Sequence, residues 1–191
     1  MKNSSLSDSE KELIEKTREL FDADQFNGEV RGKAIMSLYN AFPLEHAKSK
    51  IIGVLQTDSL NVEQWYNIND LRLVYFYIRE AYGETTLGRV GFDIINSGVF
   101  PEEIRDARDA VLAVAPAFYM NVRGENIGDV EVTFEDEKQI RMKFTTPFPC
   151  SFETGILKGS AHKFGEVVLI EHASDCCRNK GDDHCELTIR F

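Results

Sequence analysis

The sequence predicts an α+β fold: a helical N-terminal two-thirds packed on a C-terminal antiparallel sheet of about four strands, with one inserted helix. Two changes along the chain predict it. Up to Val114 the apolar residues recur at helical spacing, whereas beyond Gly124 they alternate with polar ones, as in strands with one buried face. The second change is chemical. All four cysteines, Cys150, Cys176, Cys177 and Cys185, fall in the final stretch 150–191, and nothing before it carries a thiol.

The elements follow in order. Ser7-Asp8-Ser9-Glu10 has capping-box spacing, in which the Ser7 hydroxyl accepts from the Glu10 N–H and the Glu10 carboxylate reaches back. Leu13, Ile14, Thr17, Leu20 and Phe21 then form one stripe opposite a face of Lys and Glu. Residues 1–24 are therefore an amphipathic helix that packs on its own domain or pairs with a second copy. Asn27-Gly28 marks a turn. Gly32 to Ala41 is a helix carrying Ile35, Leu38 and Tyr39 inward, and it stops before Pro43 because the residue preceding a proline is biased out of the helical region. Leu44 to Leu55 is the next helix, with Ala47, Ile51, Ile52 and Leu55 on its apolar side and His46 as a surface or capping residue. After a loop over 57–61 come Trp65 and Tyr66. Asn69 caps a helix from Asp70 to Tyr82 that is apolar nearly all round, and Gly83 ends it. Leu87 to Ser97 follows, with Gly88 and Gly91 one turn apart, which permits another backbone to approach. Pro101 stands in the first turn of a helix running to Ala115.

Val130, Val132 and Phe134 then alternate with Glu131, Thr133 and Glu135. After the turn at Asp136-Glu137-Lys138, Ile140, Met142 and Phe144 alternate likewise, making a β-hairpin with one apolar face. Cys150 to Phe164 is the inserted helix, ended by Gly165. Val167 to Glu171 is a short strand, and Leu187, Ile189 and Phe191 alternate in the last one. Residues 25–191 thus form a single domain.

A chain of 191 residues with 13 Phe, 6 Tyr and 1 Trp has the apolar content for a core and an aromatic-lined cavity. A formal charge of −10 argues against binding nucleic acid and against an anionic membrane surface. No apolar run approaches the roughly 18 residues of a spanning helix, and Met1 to Ser5 do not lead into an apolar signal core. A cytoplasmic location is the expectation. Thiols stay reduced there, which turns the cysteine cluster from disulfides towards metal or redox chemistry.

The spacing is C-x25-C-C-x7-C. Three thiolates brought together by a helix start and a turn can bind zinc tetrahedrally, with a fourth ligand from a nearby Cys, His, Glu or Asp. Cys176, Glu171, His172, Asp175 and His184 are the local candidates. Adjacent cysteines bind one ion only with strain, so Cys177 is favoured over Cys176. The other readings are buried small apolar thiols, a redox pair that includes a vicinal Cys176–Cys177 disulfide, and an iron–sulfur cluster, whose usual closely spaced thiol runs are missing. Catalytic zinc would need an open position and a poised acid or base.

Cys150-x4-Gly155-x3-Gly159-x5-Gly165, followed by Glu171, Cys177, Gly181 and Cys185, resembles the C-terminal half of the 4-vinyl reductase domain family over residues 147–191. That family includes the aromatic-compound sensor domains of phenol- and xylene-responsive activators. The resemblance implies a structural zinc held by a Cys, a Glu and two later Cys with the same x7 spacing. In those sensors the Glu lies three residues before the second Cys. Here that place is Ser174, and Glu171 lies six before, so Glu171, Cys176 or His172 would complete the set. The same fold group is similar to haem nitric-oxide-binding domains and to TRAPP trafficking subunits, which implies helices over an antiparallel sheet with an apolar cavity between them. No haem is expected.

The function expected is a stand-alone small-molecule sensor domain with a structural zinc. Its ligand would be a small apolar or aromatic molecule, its output a separate signalling protein, and its working form a homodimer. Trp65, Tyr75, Phe76, Phe118 and Tyr119 are the candidate pocket residues. The alternatives are an enzyme or accessory protein of tetrapyrrole vinyl reduction, against which the lack of a dinucleotide fingerprint or paired acid and base counts, and a structural interaction module. No catalytic residue is assigned.

Overall fold

The computed structural model describes residues 6–22, 26–96, 98–173 and 175–191. The side chains of Leu20, Phe21, His46 and Ala47, and the boundary expected at residues 24–25, lie outside the described residues. The helices are α1 (Asp8–Asp22), α2 (Gly32–Ala41), α3 (Glu45–Val54), α4 (Ile68–Tyr82), α5 (Glu84–Asn96), α6 (Ala107–Leu112), α7 (Val114–Asn121) and α8 (Cys150–Lys163). The strands are β1 (Asn27–Arg31), β2 (Trp65–Asn67), β3 (Val122–Asn126), β4 (Val130–Glu135), β5 (Gln139–Phe144), β6 (Leu169–His172) and β7 (Cys185–Arg190). This is the α+β layout the sequence predicts, with α8 inserted between β5 and β6 of an antiparallel sheet ordered β4-β5-β7-β6. Among the described residues no helix is long and apolar enough to cross a membrane.

The capping box forms at the start of α1. Ser7 Oγ accepts from the Glu10 N–H at 3.3 Å, and Glu10 Oε2 accepts from the Ser7 N–H at 2.7 Å. α1 lies against α4, with Ile14 and Thr17 buried. α4 itself buries Leu71, Leu73, Val74, Tyr75, Tyr77 and Ile78, the pattern of a helix covered on most sides. Its cap is Asn67 and not Asn69: the Asn67 side chain accepts from the Asn69 N–H at 2.8 Å.

Three further features depart from the sequence reading. The Asn27-Gly28 turn is instead an irregularity at the start of β1, which pairs with β2 and β3 in a separate three-stranded sheet. The helix expected from Pro101 is broken in two. Asp106 caps α6 by accepting from the Asp109 N–H at 2.8 Å, so the helix begins there. Pro116 then falls in the first turn of α7, where its missing N–H costs no intrahelical bond. The single apolar face expected of β4 is interrupted by a bulge between Val132 and Phe134. Beyond it Phe134 faces Arg141 and Glu135 faces Ile140, so Phe134 sits on the outer side of the sheet with the Arg141 guanidinium over its ring.

The core lies between the helices and the inner face of the four-stranded sheet. Ile140, Met142 and Phe144 of β5 stand opposite Ile189, Leu187 and Cys185 of β7, all buried. The closest helix contact is α5 on α8. A Cβ placed on Gly155 would lie 2.0 Å from the Gly88 carbonyl oxygen, and one on Gly91 2.3 Å from that of Phe152. The two backbones touch, and α8 is held at a fixed height over the sheet with Cys150 at its first residue.

Candidate metal centre

Four separate backbone positions aim their side chains at one point. Cys150 opens α8 behind Pro149, and His172 closes β6. Cys177 stands on extended backbone (φ −153°, ψ 128°) just before a single 3-10 turn, Arg178–Lys180, and Cys185 opens β7. Cys150 Sγ and His172 Nε2 are 3.1 Å apart, and the sulfurs of Cys177 and Cys185 are 3.7 Å apart. All four donor atoms lie within 4.8 Å of one another. On one tetrahedral zinc, two thiolates at about 2.3 Å stand about 3.8 Å apart, and a thiolate and an imidazole nitrogen about 3.6 Å. The set fits one such ion in size and in donor chemistry. The three thiols are buried, while His172 is exposed beside a cleft of about 460 Å³ lined by His172, Ala173, Asp175, Cys177 and Lys180. That cleft supplies an entry path.

The surroundings hold the cluster in place. The Arg178 N–H donates to Cys185 Sγ at 3.3 Å, and the Cys177 N–H donates to Asp182 Oδ2 at 2.7 Å. The turn closes at Gly181, whose φ of +95° favours glycine. Behind it Glu153, one helical turn along α8 from Cys150, is buried and pairs with the Arg178 guanidinium. The Thr146 hydroxyl donates to Glu153, and Arg178 also donates to the Thr146 carbonyl. A hydrogen bond from the Cys150 thiol, with the Arg178 N–H and guanidinium, holds Cys185 well below the usual thiol range despite its burial. The same hydrogen bond and burial push Cys150 up. One thiolate is thus already favoured before any ion enters. Burial raises Glu153 to about 7, against the pull of Arg178 and Thr146.

Of the residues singled out in the sequence, Cys150, Cys177, Cys185 and His172 come together, and Cys176 and Glu171 do not. Glu171 is exposed and pairs with Arg190 across β6 and β7. Cys176 faces away from Cys177, with its sulfur 3.6 Å from His184 Nδ1. Asp175 lines the cleft. Tyr75 and Phe118 join Phe148 and Phe152 in an aromatic cluster where α4, α7 and α8 meet, with ring centroids 4.5 Å apart for Tyr75–Phe152 and 5.9 Å for Phe118–Phe148. Tyr119 stacks edge-on against Phe118 and is half exposed. Trp65 lies elsewhere, under the guanidinium of Arg123 at 4.1 Å, and Phe76 lies under Arg79. Sequence reasoning missed Thr146, Glu153, Arg178 and Asp183. The one available signal was a carboxylate one helical turn after Cys150, on the helix face that it shares with Cys150.

No protein-family profile matches this sequence, and no curated protein matches it. Solved structures do match. An H-NOX protein from Shewanella oneidensis in the Fe(II)NO ligation state superposes with a TM-score of 0.64 at 17% identity, over 84% of this chain and 98% of its own. The chain has the H-NOX fold. An oxygen-binding H-NOX domain related to soluble guanylate cyclases gives 0.61 at 14% identity, over 84% of this chain and 94% of its own. A third similar protein, whose haem has a distorted porphyrin, gives 0.60 at 14% identity.

A haem needs an axial donor and a slot for a flat ring. Three histidine side chains are among the described residues. His162 is exposed at the end of α8 with its ring on Phe92, and His172 and His184 belong to the cysteine loops. The aromatic cluster fills the space where α4, α7 and α8 meet, and α5 and α8 are in backbone contact. The described residues do not fit a haem there.

Proposed function

We propose that this chain is a small-molecule sensor domain whose H-NOX-type fold is clamped by a structural zinc ion. Cys150, His172, Cys177 and Cys185 would hold the ion, which supplies no redox chemistry and ties α8 to the β6–β7 edge of the sheet. The observation that carries the reading is the convergence of these four donors, from a helix start, a strand end, a turn and a strand start, inside 4.8 Å. The finer kinship with the aromatic sensors of the 4-vinyl reductase group is supported by the matched Cys150, Cys177 and Cys185, with His172 in the ligand role that the resemblance gives to a glutamate. The ligand in this reading is a single-ring apolar or aromatic molecule received by the cluster of Tyr75, Phe118, Phe148 and Phe152. Haem plays no part in it. The signal passes to a separate protein, and α1 is the element proposed for contact with it or with a second copy.

One observation favours the interaction-module reading instead. The aromatic cluster is packed ring on ring, and neither the cleft beside His172 nor one between α1 and α3, lined by Ile14, Ile52 and Thr57, is lined by any of its rings. Thermal denaturation of the zinc-loaded chain with phenol, xylene and related single-ring compounds decides between them. A ligand at about 100 times its Kd raises stability by about 2.7 kcal/mol, and a shift of that size that Phe118→Ala abolishes supports the sensor. No shift with any compound, together with a stable dimer by light scattering, supports the module.

A further inference from the structure

The two adjacent pairs Cys176-Cys177 and His184-Cys185 are built alike. Cys177 stands on extended backbone and Cys185 opens β7, and along extended chain successive side chains point to opposite sides. Cys177 and Cys185 therefore turn inward to the clamp. Cys176 and His184 turn outward on the far side of the same two strands of chain, and Asp183 lies beside them. Cys176 Sγ and His184 Nδ1 are 3.6 Å apart, and His184 Nδ1 is 2.5 Å from Asp183 Oδ1. The three donor atoms lie within 4.8 Å of one another. Both chain segments are already held rigidly by Asp182, which accepts from the Cys177 N–H, and by the Arg178 N–H bond to Cys185. Asp182 is used up in that scaffold, and Asp183 is not.

We propose that Cys176, Asp183 and His184 form a second metal site for a zinc-class divalent cation, back to back with the clamp and separate from it. A thiolate and an imidazole nitrogen on one tetrahedral ion stand about 3.6 Å apart, which is the spacing already present. The carboxylate and imidazole move apart as the ion replaces the proton between them. The imidazole then carries its proton on Nε2, and the Cys176 thiol proton is released to solvent. Thiolate, imidazole and carboxylate together select a borderline-soft ion such as zinc over calcium or magnesium. Three protein donors on a half-exposed face leave the fourth position to water, so this ion exchanges where the clamped one does not. Occupancy of the outer site cross-links the two segments that carry Cys177 and Cys185, and so couples available metal to the rigidity of the clamp.

The test is metal stoichiometry in the reduced, full-length chain, titrated with Zn2+ against a chromophoric competitor. Wild type is compared with His184→Ala and with Asp183→Asn, whose side chain is exposed and leaves the fold untouched. The expected result is two equivalents in wild type and the loss of one in His184→Ala, with weaker uptake of that same equivalent in Asp183→Asn. One equivalent in wild type and none in His184→Ala would keep the outer site and remove the clamp. The proposal is overturned if His184→Ala and Asp183→Asn take up as much zinc as wild type with the same affinity.

Discussion

Glu10 shows how one side chain can tie an element to its domain. Its carboxylate accepts from Lys50 Nζ at 2.6 Å, from the Tyr77 hydroxyl at 2.8 Å and from the Ser7 N–H. Burial opposes its ionisation, but these donors outweigh burial and lower it from 4.5 to about 2. A depressed carboxylate contributes stability above its unfolded pKa and loses it as pH falls through the folded one. Urea titrations should therefore show wild type losing stability between pH 4.5 and about 2, with a shallower loss in Glu10→Gln. Equal slopes would mean that α1 is held by packing alone. Glu153 is a harsher case. Glu153→Ala leaves the Arg178 guanidinium buried without its partner and should cost about 3–5 kcal/mol in chemical denaturation. A loss under about 1 kcal/mol would show that water reaches Arg178. At this scale the sequence made the thiols legible, because four cysteines in one stretch have few uses. It favoured Cys177 over Cys176 but could not choose His172 over Glu171. Neighbouring residues on extended backbone face opposite sides, so a register one residue different would swap those two.

Among the elements, α5 and α8 carry the most specific packing. Gly88, Gly91, Gly155 and Gly159 leave the two backbones in contact, and an added methyl has no flexible neighbour to displace. Gly155→Ala should destabilise by about 3 kcal/mol or more and tilt Cys150 out of the cluster. Gly165→Ala, with open space around it but a φ of +84°, should cost about 1–2 kcal/mol and leave metal binding unchanged. If the two variants lose equal stability and both keep zinc, backbone contact does not set the site. Gly88 and Gly91 one turn apart already signalled such a contact in the sequence. The three-stranded sheet gave no such signal. β1 buries only Val30 deeply, β2 is three residues long, and their partners are distant in sequence. The bulge in β4 was equally hidden, since a regular alternation of apolar residues cannot report that one position has been skipped.

For the molecule as a whole, the helices and the sheet are joined by a core, by an aromatic cluster and by one corner of polar chemistry. The core and cluster account for an H-NOX fold at identities of 14–17%, because burial pattern survives where residue identity does not. The polar corner carries the individuality of this chain: three buried thiols and a histidine, with an arginine–glutamate pair behind them. If zinc closes that corner, the last three strands and α8 unfold as one unit. Chelation should then lower the unfolding midpoint and make α8 and β7 exchange amide hydrogens together, while α4 stays protected. Protection that falls uniformly along the chain, or not at all, would mean that the clamp has no mechanical role. The most direct measurement is zinc content by plasma mass spectrometry on tag-free protein dialysed against a weak chelator, beside Cys185→Ser and His172→Ala. The clamp predicts one retained zinc per chain in wild type and its loss in Cys185→Ser, with weakened retention in His172→Ala. Protein purified under reducing conditions that retains no zinc, or a Cys185→Ser variant that keeps it, would contradict the account.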